Sequence, residues 1–310
     1  MKLNSFRQIF PSSRWFVLCE CLLVEMCFLF MLPGVKFIAP MLTHVIPSRD
    51  RGSVYAMTSL GDDVFVIREG SKQIEVYDAA TFALRRHMTV AGLGSRSDGI
   101  AACARNKCLY LSDDENDKVH RVTLSGGNLV KNWLVASNPT GLSINRALNL
   151  VVTCYGAKVL QEYTTHGSLV REVSLQADVI SPWHAVQLSS GDYVVSQNRS
   201  SGVVSVVRVY GQVVHSYGQS QTSDDVEALT DPTNLTVASN DAILVADGKN
   251  TGRILSINRS SGTVQELPLS ADGGVQYPLG LCLDESRGRL YVGESGGECR
   301  VLVFDVTATL

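Results

Sequence analysis

Six times between residues 64 and 304 the chain repeats one arrangement. An apolar strand pattern runs into a polar turn of four to six residues, often with glycine, and a second strand of period two follows. The copies are VFVIREGSKQIEVY (64–77), LYLSDDENDKVHRVTL (109–124), LVVTCYGAKVLQEY (150–163), YVVSQNRSSGVVSVVRV (193–209), ILVADGKNTGRILSI (243–257) and LYVGESGGECRVLVF (290–304). A further short strand precedes each pair, and four of these open with proline: PTGLSIN (139–145), PWHAVQL (182–188), PTNLTVA (232–238) and PLGLCLD (278–284). The first two open instead with SVYAMTS and DGIAACA. Asp98, Pro139, Pro182, Pro232 and Pro278 are then spaced by 41, 43, 50 and 46 residues. A fourth short strand follows the pair, as in LVREVSL (169–175) and TVQELPL (263–269).

Four antiparallel strands in each repeat of this length predict an all-β, six-bladed β-propeller. One four-stranded sheet cannot hide both faces; set radially, each packs on two neighbours, and ring closure protects the edges. No segment after residue 52 sustains the apolar i, i+3, i+4, i+7 spacing of a helical solenoid. The last repeat lacks its outer strand, since the sequence stops at Leu310 just past the third. The apolar, β-prone segment VKFIAPMLTHVI (35–46) is the candidate to complete it, and Pro40 there predicts a short or bulged edge strand. The alternative is that 35–46 only links the N-terminal segment to the first blade. The expected organisation is thus an N-terminal segment, 1–34, and a propeller over 35–310.

The chain has 310 residues, 45% hydrophobic and 18% charged, with a net charge of −3. Disordered chains combine low hydrophobicity with high net charge, so that class is excluded. The absence of a basic excess argues against a chain dominated by nucleic-acid contacts.

Residues 1–34 pose a separate question. Lys2, Arg7 and Arg14 precede the apolar run WFVLCECLLVEMCFLFML (15–32), which predicts a helix at the short end of a membrane span. Glu20 and Glu25 interrupt it, each costing about 2.5–3.5 kcal/mol near a helix centre, and no small-x-small cleavage site follows. A signal-anchor and a non-native extension both stand as readings. The first makes the chain membrane-anchored and the second cytoplasmic; only the first brings a membrane partner. Among eight cysteines no C-x-x-C pair occurs, and Cys103 and Cys108 flank a short turn across which they can face each other.

LVADGKNTGRIL (244–255), LYLSDDENDKVHRV (109–122) and the last repeat (278–305) carry a further pattern. An acidic residue ends the second strand and a basic one begins the third: Asp113 with Lys118, Asp247 with Arg253, Glu294 with Arg300. This unit resembles the NHL repeat of six-bladed propellers, similar to the C-terminal domain of tripartite-motif proteins, over about residues 53–306. The acidic position departs to Arg68, Cys154 and Gln197 in the other repeats. On physical grounds the acids are turn-holding groups that accept backbone N–H bonds or pair with the basic residue.

The resemblance implies binding of a protein or RNA partner, with any ubiquitin-ligase chemistry on a separate domain. Some related propellers are metal-dependent lactonases, and others hold zinc through histidines. Of the residues expected at the mouths of the innermost strands, Asp98 is the one acid, with His184 and Asn234 as further channel-lining candidates. That is too few ligands for a calcium site. The six histidines show no paired spacing. For RNA the candidate basic residues are Arg85, Arg86, Arg96, Arg105, Lys107 and Arg121, all in the first two repeats. The expected function is a non-catalytic recognition module for a protein partner, without cofactor or metal. An RNA-binding propeller and a metal-dependent lactonase or esterase are the alternatives.

Overall fold

The computed structural model describes residues 39–48, 52–125, 129–198, 202–218, 229–248, 252–259, 261–269 and 274–307. Residues 1–34, with the apolar run, lie outside them, as do residues 219–228. Residues 39–310 form a unit of their own.

That unit is the expected six-bladed propeller, each blade a four-stranded antiparallel sheet. Blade one holds β2 (Val54–Leu60), β3 (Asp63–Arg68), β4 (Gln73–Asp78) and β5 (Leu84–Thr89). Blade two holds β6 (Ile100–Cys103), β7 (Cys108–Asp113), β8 (Lys118–Thr123) and β9 (Val130–Leu134). Blade three holds β10 (Pro139–Ile144), β11 (Leu150–Cys154), β12 (Val159–Tyr163) and β13 (Leu169–Ser174). Blade four holds β14 (Pro182–Gln187), β15 (Tyr193–Gln197), β16 (Val203–Val207) and β17 (Val213–Tyr217). Blade five holds β18 (Pro232–Val237), β19 (Ile243–Asp247), β20 (Arg253–Ile257) and β21 (Val264–Glu266). Blade six holds β22 (Pro278–Asp284), β23 (Arg289–Glu294), β24 (Val301–Asp305) and, from the other end of the chain, β1 (Met41–Ile46).

Period-two alternation explains the packing, because successive side chains leave opposite faces of each sheet. Ile243 and Val245 of β19 pack toward blade four, while Leu244 and Ala246 pack toward blade six. Every interface between neighbouring blades carries such an apolar cluster, including the one between blades six and one. Strands buried on both faces must be apolar on both, so the second strands read as nearly continuous runs such as ILVAD and YVVSQ.

Ring closure mixes the two ends of the chain. β1 pairs antiparallel with β24 from Met41↔Asp305 to Ile46↔Val301, with a register shift between Leu42 and His44. Thr43 at that shift donates its hydroxyl to the Val303 carbonyl at 3.0 Å. Across the seam, the Phe82 ring is stacked on His44 at 4.5 Å and covered by the Arg289 guanidinium at 4.9 Å.

The innermost strands expose one edge to the central channel, and side chains of neighbouring blades cap part of it. Thr140 donates to the Trp183 carbonyl at 2.6 Å, Ser143 to that of Ala185 at 2.7 Å, and Thr233 to that of Pro278 at 3.2 Å. Among the described residues no helix is long and apolar enough to cross a membrane.

Candidate functional site

The propeller has two faces. One carries the turns between strands two and three and the linkers that enter strand one of each blade; it is called here the linker face. The other carries the turns between strands one and two, the turn face.

On the linker face of every blade, the residue ending strand two is bonded to a side chain of strand three or, in blade six, to that of the residue just before it. The pairs are Arg68–Glu75 at 2.8 Å, Asp113–His120 at 2.9 Å, Cys154–Gln161 at 3.8 Å, Gln197–Ser205 at 3.0 Å, Asp247–Arg253 at 3.1 Å and Glu294–Arg300 at 2.8 Å. Arg253 and Arg300 are the partners expected from the sequence. In blade two the carboxylate meets His120, at the diagonal position, instead of its direct register partner Lys118. Blade one carries the same pair with its charges exchanged.

Each pair also holds the linker entering its own blade. Asp113 accepts from the Gly94 N–H, Gln161 from Ala136, Gln197 from Ile180, Asp247 from Thr230 and Asp231, and Glu294 from Gln276. Arg68 does the converse, donating to the carbonyls of Gly52 at 3.0 Å and Cys299 at 2.9 Å, the latter in blade six. The clasp is one structural device built from four side-chain combinations. Removing one partner of such a buried pair leaves an uncompensated charge, so Asp247→Ala is expected to cost about 3 kcal/mol of unfolding free energy. Urea denaturation measures it; a loss below about 1 kcal/mol would show that the clasp does not hold the linker.

The clasped linkers present aromatic and apolar groups. Tyr277 is 50% exposed although its φ is +46°, a left-handed backbone disfavoured for bulky residues. Its ring lies over Gly296, where a Cβ would collide with it. Ile180, in the linker to blade four, is also 50% exposed. Nearby in the chain, Trp183 and Tyr155 meet edge to face at 6.3 Å. In blade one, Tyr55 and Ser53 both donate to Glu69 at 2.8 Å and hold its carboxyl below the ordinary range.

Of the channel candidates, His184 and Asn234 line the cavity, whose volume is about 530 Å³, and Asp98 is outside its lining. Asp98 sits buried on the linker face, 3.3 Å from Arg96. His184 joins three blades. Its Nδ1 accepts the Leu235 N–H at 3.2 Å, so Nε2 carries the proton and donates to the Leu142 carbonyl at 3.1 Å. Burial lowers its pKa from 6.5 to about 4, so the imidazole is neutral at physiological pH. Gly141 is small because a Cβ there would enter the His184 ring. Both ring nitrogens are therefore committed to the wall. Among the described residues, no group of three His, Cys, Asp or Glu side chains is placed to hold a metal.

The six basic candidates are not brought together. Arg85 bonds Asp63 and Asp78, Arg86 lies 3.4 Å from Asp63, and Arg96 also lies 3.2 Å from Asp114. Arg105 and Lys107 occupy the turn before β7, on the face opposite to Arg96, and Arg121 in β8 donates to Thr123 at 3.1 Å. Cys103 and Cys108 are register partners and both are buried free thiols.

These observations define the chain by its architecture as a six-bladed β-propeller. No protein-family profile matches the sequence, and no curated protein does. Solved structures are similar in fold. A streptogramin B lyase matches with a TM-score of 0.62 at 14% identity over 88% of this chain and 100% of its own. Virginiamycin B lyase from Staphylococcus aureus gives 0.62 at 12% identity over 86% and 99%. The WD40 β-propeller domain of Doa1 gives 0.58 at 12% identity over 86% and 97%. At these identities the likeness is one of fold alone.

Proposed function

We propose that the chain is a recognition module that binds a protein partner through its linker face. The observation that carries this reading is Tyr277, an aromatic ring half exposed on a left-handed backbone in a linker fixed by Glu294. Strain of that kind persists where the surrounding structure over-determines it, and it clusters at binding sites. Exposed tyrosines on rigid supports are common anchors of protein interfaces, because they bury large area at small entropic cost. Ile180 adds an apolar group in another clasped linker.

The finer form of the proposal is the substrate-recognition part of a ubiquitin-ligase-type protein, and it rests on the NHL-like pairs Asp247–Arg253 and Glu294–Arg300. The RNA alternative is less favoured, since Arg85, Arg86 and Arg96 already stand against carboxylates.

Tyr277→Asn tests the reading. Asparagine tolerates a left-handed backbone, so the fold is expected to be retained, or stabilised by about 1 kcal/mol, while partner binding weakens at least about tenfold. Unchanged partner affinity in Y277N, measured beside its unfolding curve, would count against the linker face.

A further inference from the structure

The channel cavity opens on the turn face, where its wall is neutral except at two residues. Thr58, Ser143, Asn234 and Thr236 contribute uncharged polar groups to the lining, and His184 is held neutral. The charges are Arg146, just past β10, and Glu285, just past β22. Both converge on Ser239 of blade five. Arg146 Nη2 donates to the Ser239 carbonyl at 3.0 Å, and the Ser239 N–H donates to Glu285 Oε1 at 2.8 Å. A cation from blade three and an anion from blade six thus flank one residue at the mouth without an ion pair between them.

Neither charge is locked. The Arg146 side chain is 60% exposed, and its second contact is a 3.4 Å approach to Asp241. Asp241 would keep the Ser189 N–H at 3.0 Å, the Ser189 hydroxyl and Arg259 at 3.9 Å if Arg146 turned away. Among the described residues Glu285 has no ion-pair partner, since its neighbour Arg287 is taken by Asp284 and Asp62.

We propose that this mouth binds a small zwitterion, a free α-amino acid or a short peptide. Its carboxylate sits on Arg146, its ammonium on Glu285, and its side chain enters the neutral channel. A simple anion would meet Glu285 and a simple cation Arg146, so each would be repelled by one of the two groups, whereas a zwitterion satisfies both. A cavity of about 530 Å³ is ample for either source. The site stands apart from the linker face, so the two proposals can fail separately.

The test is thermal unfolding of the full chain with three probes at about 10 mM: an equimolar mixture of the twenty free amino acids, a mixture of Ala-X dipeptides, and N-acetyl amino-acid amides. Free amino acids or dipeptides are expected to raise Tm by about 2 °C or more, and the blocked amides are not. The larger of the first two shifts identifies the source. Arg146→Gln and Glu285→Gln are expected to weaken binding at least about tenfold with the unliganded Tm unchanged, and Tyr277→Asn to leave binding intact. No shift from either zwitterion, an equal shift from the amides, or full binding by R146Q and E285Q would overturn the proposal.

Discussion

Replacing His184 with leucine is expected to lower the unfolding free energy by about 3 kcal/mol at pH 7. Leucine nearly conserves volume but leaves the buried Leu142 carbonyl and Leu235 N–H without the partner that His184 gives each. The pH dependence should change as well. Burial depresses the folded pKa from 6.5 to about 4, so between those values the unfolded chain binds a proton that the folded chain refuses. The contribution is therefore fully present above pH 6.5 and falls by about 3 kcal/mol as pH drops toward 4. Carboxylates also titrate at the lower end, and the difference between wild type and His184→Leu isolates the histidine. Urea midpoints at pH 7 and pH 4.5 should converge for the two proteins. Parallel pH profiles would mean that His184 is not the neutral bridge of blades three, four and five.

The second large effect concerns closure. Deleting Met41–Ile46 removes the outer strand of blade six and leaves β24 with an open edge. It also uncovers the cluster that Ile46 shares with Val54, Val64, Val301 and Val303. Full burial of one such side chain contributes about 1.5–3 kcal/mol, and an apolar open edge promotes association. The shortened chain is expected to lose about 5 kcal/mol or more and to aggregate on warming, as seen by light scattering during a thermal scan. Ile46→Asp separates the two causes: it charges the core while keeping the strand, so it should destabilise with less aggregation. A monomeric protein of wild-type Tm after the deletion would contradict closure through β1.

The architecture was legible because strand patterns and proline-led starts recur at near-constant spacing, and that periodicity is a property of the chain itself. The missing outer strand also pointed to the segment that supplies it, and the Pro40 argument for irregularity has its counterpart in the register shift between Leu42 and His44. Less legible was the clasp. Arg68, Cys154 and Gln197 look like departures when residues are matched by type, yet they do the same work when matched by partner. A scan for complementary residues six to eight positions apart would have found Arg68 with Glu75, and Asp113 with His120. Of the channel candidates, His184 and Asn234 were legible from their places near strand starts, whereas Asp98 lies outside the lining, and the roles of the His184 nitrogens depend on blades brought together only by folding. Arg146 and Glu285 carried no signal at all, since nothing local says that two turns from blades three and six meet at Ser239. The surroundings of the basic residues of the first two repeats were illegible for the same reason: Arg85, Arg86 and Arg96 meet their carboxylates, and Arg96 stands on a different face from Arg105 and Lys107, only through folding.

The most direct measurement of the central claim is a paired affinity comparison on a partner isolated with the full chain. Tyr277→Asn combined with Ile180→Ser alters the linker face, and Tyr210→Ser combined with Leu169→Ser alters exposed apolar groups at the opposite ends of blades three and four. The expected result is a loss of at least about tenfold in affinity for the first pair and less than about twofold for the second, with both proteins folded. Binding that survives the linker-face pair and is lost with the other would contradict recognition through the linker face.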